Sequence, residues 1–170
     1  MKLLYAPWRS GYSDSTDRTK QEGAAAHECI FCEQFAQDDD DTHFIIKRFD
    51  DSVVMLNRYP YNAGHLLILP LTHHGSIDEL KPEIQAELMW LTGKSSTILK
   101  DVLGAEGVNI GINMGKAAGA GIPAHLHIHI LPRWMGDTNF LPTLSETKII
   151  SYDMNDILHK LKKAFETVKK

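Results

Sequence analysis

Hydrophobic residues follow two different periods along this chain, and the alternation between them predicts the order of strands and helices. Short apolar, β-branched segments bounded by turn residues predict β-strands. These segments are residues 44–46, 52–56, 65–69, 108–112 and 125–131. Because most of the strands follow one another while the helices stand apart, the pattern indicates an antiparallel α+β domain with a sheet of about five strands.

Two longer segments have the helical spacing of apolar positions. In the first, Ser76 and Glu79 form a capping-box pattern, Pro82 suits a first helical turn, and Gly104 is a suitable stop. In the second, Asp153 is placed to cap a helix whose apolar residues share one face. The sequence therefore predicts two helices packed against the sheet.

Length and charge limit the classes of function. A chain of 170 residues fits one domain, which we place at residues 29–170, after an irregular, turn-rich arm at residues 1–28. The net charge of −4 gives no general attraction for nucleic acid. No apolar run is long enough for a membrane span, and the run before Pro7 is too short for a signal peptide. We therefore expect a cytoplasmic protein with neither a nucleic-acid nor a membrane partner.

Three alternating histidines carry the clearest chemical signal. His125, His127 and His129 are separated by apolar residues, so a strand would present all three imidazoles on one face. An exposed polar strand face or a surface metal-binding stripe are the alternatives, although either would tolerate other polar residues. Neutral imidazole is a nucleophile towards phosphorus. The glycine-rich segment 115–121 lies just upstream, where its backbone N–H groups are available to phosphate oxygens.

The only two cysteines are close together. Cys29 and Cys32 have the spacing of one half of a tetrahedral zinc site, and the other two ligands must come from elsewhere in the chain. Two buried reduced thiols or a labile disulfide are the alternatives. The residues alone therefore indicate a candidate zinc site without completing it.

The histidine row and its surroundings resemble the histidine-triad superfamily. The resemblance covers about residues 29–139. Its motifs are His125-x-His127-x-His129, Asn57-Arg58-Tyr59-Pro60, the run Gly64 to Pro70, Asn113-x-Gly115 and Pro132-Arg133. The segments Ala6-Pro7-Trp8-Arg9 and Gly119-Ala120-Gly121-Ile122-Pro123 resemble the branch with bacterial diadenosine-polyphosphate phosphorylases and hydrolases.

The resemblance implies a role for each matching residue. It implies that His127 is the nucleophile, that His129 contacts phosphate and assists the leaving group or acceptor, and that His65 is a fourth histidine near the triad. It also implies nucleotide contacts from Asn57 to ribose and from Asn113 to phosphate or a bridging oxygen. Gly119 and Gly121 belong to the upstream glycine-rich loop, whose backbone N–H groups we expect to contact the phosphates.

The resemblance also implies a closed structural zinc site and an oligomer. Some members of the superfamily complete the site begun by Cys29 and Cys32 with the histidines that correspond to His73 and His125. His74 is the alternative to His73. The resemblance further implies a homodimer or a dimer of dimers.

The implied activity is cleavage of a dinucleoside polyphosphate, such as diadenosine tri- or tetraphosphate, through a nucleotidyl-histidine intermediate. Water or orthophosphate is the acceptor, and we lean towards orthophosphate. The chain departs from many relatives at Gly121 and Ile122, where those relatives have glutamine followed by serine or threonine. This departure disfavours a nucleoside phosphoramidase, which remains an alternative together with a non-catalytic nucleotide-binding or sensing protein.

Overall fold

A computed structural model of the protein describes residues 28–139, residue 144 and residues 152–169. The predicted irregular arm, apart from Glu28, lies outside the described residues. In the described part, no helix has the length and apolar character needed to cross a membrane.

A five-stranded antiparallel sheet forms the centre of the fold. The strands are β1 (Ile45–Arg48), β2 (Ser52–Leu56), β3 (Leu66–Pro70), β4 (Gly107–Ile112) and β5 (Ile128–Arg133). Their spatial order is β1-β2-β3-β5-β4, so the last two strands exchange places relative to the sequence. The predicted α+β class and five-stranded sheet are confirmed.

Three α-helices accompany the sheet in the described part of the chain, one more than the sequence predicts. They are α1 (Ile30–Phe35), α2 (Pro82–Leu103) and α3 (Met154–Phe165). Helix α1 was missed because its six residues are too few to display a helical period. This short helix follows Cys29 and carries Cys32.

The predicted helix ends are largely confirmed. Helix α2 begins at Pro82 and stops at Gly104, whose φ of 64° lies in the left-handed region that favours glycine. The Asp153 carboxylate accepts hydrogen bonds from two backbone N–H groups at the start of α3. The Ser76–Glu79 capping box, however, caps the short 3₁₀ turn Ile77–Glu79 and not α2.

The two faces of the sheet bury different sets of residues. Val54, Leu56, Leu66 and Ile68 pack in the cluster that also contains buried residues of α2 and α3. Their neighbours on the strands point the other way and pack against Cys29 and Phe31 beside α1; these neighbours are Val53, Met55, Leu67 and Leu69. The alternation of strand side chains therefore gives one face to the long helices and the other to α1.

The histidine segment is only partly a regular strand. We predicted a strand from residue 125, but β5 begins at Ile128. The Leu126 N–H donates to the carbonyl of His74, and the Pro70 carbonyl is bonded to the ring of His125. Because Pro70 also lacks an N–H, the β3–β5 ladder ends before His127. Leu126 nevertheless joins the helix-side core, so the alternation persists past the end of the strand.

Candidate functional site

A cleft of about 850 Å³, its open mouth included, lies between α1 and the sheet. Its floor is formed by residues that lie opposite one another on neighbouring strands. His129 pairs with Leu67, and Leu67 pairs with Met55. Six predicted site residues line it: Asn57, Asn113, Gly119, Gly121, His127 and His129. Apolar and aromatic side chains form most of the rest: Ile30, Phe31, Phe44, Met55, Leu56, Tyr59, Tyr61, Leu67 and Ile122.

His127 is held in one orientation by its own backbone. Its Nδ1 lies 2.8 Å from the carbonyl oxygen of His125, and a carbonyl only accepts, so Nδ1 carries the proton. The remaining nitrogen, Nε2, therefore holds the lone pair. Burial lowers the pKa of His127 below its ordinary value of 6.5, although the bond to the His125 carbonyl raises it in part. The ring is neutral near pH 7 and chemically suited to nucleophilic attack.

His129 is oriented by a chain of hydrogen bonds that begins at a backbone amide. The Tyr61 N–H donates to Nδ1 of His65 at 3.1 Å, so the proton of His65 is on Nε2. That Nε2 lies 2.9 Å from Nδ1 of His129 and donates to it. The proton of a neutral His129 ring is consequently on Nε2, which is thus a hydrogen-bond donor for a bound anion.

His65 lies behind His129. Its side chain is fully buried and is absent from the residues that line the cleft. Tyr61 packs against both imidazoles, with ring centroids 4.6 Å from His65 and 5.8 Å from His129. His65 therefore reaches the cleft only through His129, whereas Tyr61 packs against both rings and also lines the cleft.

Asn57 connects the cleft to the same chain of hydrogen bonds. The Tyr59 N–H donates to Asn57 Oδ1 at 2.9 Å, which identifies the amide oxygen. The amide nitrogen therefore faces Nδ1 of His65 at 3.3 Å. In this structure the Asn57 side chain supports His65 as well as lining the cleft.

The glycine-rich segment lies on the cleft wall as predicted from its place in the sequence. Gly119 has a φ of 86°, a left-handed conformation at the end of the 3₁₀ turn Lys116–Ala118. Lys116 itself is not among the residues that line the cleft. Beside Gly121, Ile122 is buried and presents an apolar side chain to the cleft.

Four potential metal ligands meet beside the cleft. One ligand atom from each of Cys29, Cys32, His73 and His125 lies within 4.8 Å of the others. Nδ1 of His125 is 3.4 Å from Sγ of Cys29 and 3.5 Å from Sγ of Cys32, and Nδ1 of His73 is 3.4 Å from Sγ of Cys32. This arrangement is capable of holding a metal ion. His74 is not part of the cluster; its Nδ1 lies 3.7 Å from a carboxylate oxygen of Glu79.

The donor set fits zinc. Tetrahedral zinc with its usual bond lengths separates sulfur and nitrogen ligands by about 3.6 Å, close to the observed separations. The Pro70 carbonyl lies 2.9 Å from Nε2 of His125, which places the lone pair on Nδ1, towards the sulfurs. Burial lowers the pKa of His125 to about 4, so the ring is neutral and able to ligate. Burial is the main cause that raises the pKa of the Cys32 thiol to about 11, and the neighbouring Cys29 adds to it. Binding of zinc must therefore displace a proton from this thiol.

Several residues of the cleft were not predicted by the sequence analysis, and three of them stand out by their contacts or chemistry. Phe31 contacts the rings of His125 and His127, with centroid distances of 5.5 and 5.6 Å. Gln34 and Tyr61 also line the cleft. Two features of the sequence are relevant to these residues. Gln34 lies three residues after Phe31, a spacing that puts both on the same face of a helix, and Tyr61 lies in the segment between Asn57 and His65.

Comparison with known proteins identifies the family. The HIT domain model matches residues 39–135, more than half of the chain. The chain belongs to the HIT domain family. An AP-4-A phosphorylase from Mycobacterium tuberculosis is 31% identical over 156 residues, covering 92% of this chain and 80% of that protein. The asymmetrical bis(5'-nucleosyl)-tetraphosphatase of Schizosaccharomyces pombe is 33% identical over 86 residues, covering 51% of this chain and 47% of that protein.

Solved structures support the same fold. A zinc-bound histidine triad family protein from Mycobacterium smegmatis superimposes with a TM-score of 0.68 and 26% sequence identity. The match covers 84% of this chain and 96% of that one. This HIT chain thus shares its fold with a family member that binds zinc.

Proposed function

We propose that this HIT chain cleaves dinucleoside polyphosphates, such as diadenosine tri- or tetraphosphate, at the α-phosphorus through a nucleotidyl-His127 intermediate. One observation carries the proposal: the His125 carbonyl holds Nδ1 of His127, which leaves Nε2 as the nucleophilic atom of a ring that lines the cleft. The AP-4-A phosphorylase and the asymmetrical bis(5'-nucleosyl)-tetraphosphatase that are similar to this chain support this substrate class.

In the first step, Nε2 of His127 attacks the α-phosphorus and the bond from phosphorus to the bridging oxygen breaks. The electron pair of that bond leaves with the nucleoside polyphosphate. The Nε2–H group of His129 and the backbone N–H groups near Gly119 and Gly121 stabilise the charge on the phosphate oxygens. The positive charge that develops on the His127 ring is stabilised by the His125 carbonyl, to which Nδ1–H still donates.

The apolar wall at Ile122 agrees with a polyphosphate leaving group. The second pKa of a terminal phosphate is about 6, so a nucleoside polyphosphate departs as an anion and needs no proton from the protein. An amine leaving group must be protonated, and many relatives have a hydroxyl in this region where this chain has Gly121 and Ile122. The chemistry therefore favours dinucleoside polyphosphates over nucleoside phosphoramidates.

In the second step, an acceptor oxygen attacks the same phosphorus and the bond between phosphorus and Nε2 breaks. The electron pair of that bond returns to Nε2, which restores the neutral His127 ring, and the proton of the acceptor passes to solvent. We propose orthophosphate as the acceptor, with support from the AP-4-A phosphorylase similarity over 92% of the chain. Diadenosine tetraphosphate and orthophosphate would then give ADP and ATP, whereas water would give AMP and ATP.

The products of diadenosine tetraphosphate distinguish these outcomes. The protein is incubated with this substrate at increasing orthophosphate concentrations, and the nucleotides are separated by chromatography. ADP that incorporates labelled orthophosphate supports the proposed acceptor. AMP as the only small product at saturating orthophosphate, with an unchanged rate, identifies a hydrolase. No cleavage at all under either condition contradicts the proposed function.

The metal-ligand cluster has a proposed structural role. Cys29, Cys32, His73 and His125 would hold one zinc ion, which supplies no open position for chemistry when all four sites are filled by protein. Cys29 immediately precedes α1 and Cys32 lies within it, while His125 is two residues from His127. We therefore propose that the site holds α1 against the histidine segment and so shapes the cleft.

The oligomeric state and the cellular location of the protein are further proposals. Among the strands that the described residues form, β4 has a neighbour on one side only, and Ile110 on this edge is 54% exposed. We propose a homodimer that covers this surface, with residues 29–170 forming one domain in a cytoplasmic protein. Sedimentation of the purified chain tests the dimer, since a monomer at micromolar concentration contradicts it.

A further inference from the structure

One polar atom in the cleft wall has no partner. Among the described residues, only two buried side-chain nitrogen or oxygen atoms lack a hydrogen bond, Oε1 of Gln34 and Oγ of Ser95. Ser95 belongs to α2 and is not part of the cleft lining, whereas Gln34 lines the cleft. Buried acceptors are normally paired, so an unpaired amide oxygen in a ligand cleft indicates that a ligand supplies the donor.

Gln34 lies on helix α1, which packs against the histidine segment. The ring of Phe31 contacts His127, and Phe35, the last residue of α1, contacts the ring of His125 and lies beside β1. There the Arg48 guanidinium donates to the carbonyls of Phe35, at 2.7 Å, and Gln37, at 3.0 Å. Gln34 is one helical turn after Phe31 and lines the same cleft as His127.

The surroundings of Gln34 suit a flat aromatic ring with a polar edge. Phe31, Phe44, Met55 and Leu67 line the cleft and offer apolar contacts to the faces of a base. His43 also lines the cleft, and its Nε2 lies 3.0 Å from Oε1 of Gln37. The unpaired amide oxygen of Gln34 is therefore a group in this lining that is open to a hydrogen bond from the edge of a base.

We propose that Gln34 selects an adenine base, an inference that rests on the proposed function because it assumes a nucleotide with its phosphate at His127. Oε1 accepts from the exocyclic amine, and the amide N–H₂ donates to the adjacent ring nitrogen. This is the bidentate pairing that glutamine makes with adenine. Guanine presents two acceptors at the corresponding edge, which leaves Oε1 facing an acceptor.

Direct binding of mononucleotides tests the inference without requiring turnover. The affinities of AMP, GMP and purine riboside 5'-monophosphate, which lacks the exocyclic amine, are measured by calorimetry. We expect AMP to bind about tenfold or more tightly than either of the others, in line with the discrimination of one bidentate pair. In Gln34→Met, a variant of similar length and helix propensity, AMP should weaken to the level of purine riboside monophosphate.

Glu33→Leu is the matched control, because Glu33 is an exposed residue of the same helix and does not line the cleft. It should retain the preference for AMP. Equal affinities of the three nucleotides in the unaltered protein overturn the inference, as does an unchanged preference in Gln34→Met.

The kinetic comparison separates this inference from the proposed function. The ratio of kcat/KM for diadenosine over diguanosine tetraphosphate should fall towards one in Gln34→Met, mainly through KM. Cleavage of both substrates at equal efficiency by the unaltered protein overturns base selection and leaves the proposed function standing. A preference for AMP in binding without cleavage of any dinucleotide supports base selection and contradicts the proposed function. Failure of all three mononucleotides to bind contradicts both.

Discussion

His65 and His129 are joined ring to ring, with Nε2 of His65 2.9 Å from Nδ1 of His129, although they are 64 residues apart in sequence. The backbone N–H of Tyr61 determines the direction of this bond, because it occupies the other ring nitrogen of His65. A main-chain donor thus sets the position of the proton on His129. Through this bond a fully buried histidine is connected to the cleft that it does not line.

Replacing His65 should reduce turnover through His129. In His65→Leu, Nδ1 of His129 loses its donor, and we expect kcat to fall roughly tenfold or more while KM changes little. In His65→Gln, an amide N–H is available to restore part of the bond, so part of kcat should return. Steady-state kinetics on diadenosine tetraphosphate measures both. A leucine variant with wild-type kcat contradicts the positioning role.

Removing the nucleophile separates chemistry from binding. His127→Asn should lower kcat by at least about a thousandfold, because the variant lacks the Nε2 atom that forms the bond to phosphorus. AMP affinity should remain within a few-fold. Mass spectrometry of acid-quenched wild-type reactions should show adenylylation of a peptide that contains His127. Adenylylation of a different peptide would exclude the mechanism.

The pH dependence of the reaction follows from the buried position of His127. Only the neutral ring attacks, and burial lowers its pKa below 6.5. Activity should therefore persist below pH 6.5 and decline only as the pH falls through the lowered pKa. The internal phosphates of a dinucleoside polyphosphate do not titrate there, so kcat/KM reports the free enzyme. An acid limb with its midpoint at or above pH 6.5 contradicts this expectation.

The metal site makes a prediction about stability. Purified protein should contain about one zinc per chain, measured by elemental analysis without chelator in the preparation. Cys29→Ser should lose most of the metal and lower Tm by about 5–10 °C. His74→Ala is the matched control and should retain the metal, because His74 lies outside the cluster. Metal-free wild-type protein, or metal loss in the His74 variant as complete as in Cys29→Ser, contradicts the ligand assignment.

Local patterns in the sequence were sufficient to predict that a five-stranded sheet forms and which side chains face its core. The apolar residues between the histidines predicted which side chains face the core, and Leu126, Ile128 and Ile130 are buried there. Pro82, Gly104 and Asp153 marked the helix ends because capping depends on residues within one turn. The regular strand nevertheless starts later than predicted, since hydrogen bonds to His74 and Pro70, distant in sequence, end the ladder at Ile128.

Only the tertiary structure decided which distant side chains meet. Alternation tells which face a residue occupies, but the strand order and register determine its neighbours on that face. The order β1-β2-β3-β5-β4 and the pairing of Leu67 with His129 bring His65 and the α1 side of the cleft to the histidines. Gln34 acquires its place in the cleft in the same way, because six residues of α1 carry no periodic signal and their orientation depends on packing across the sheet.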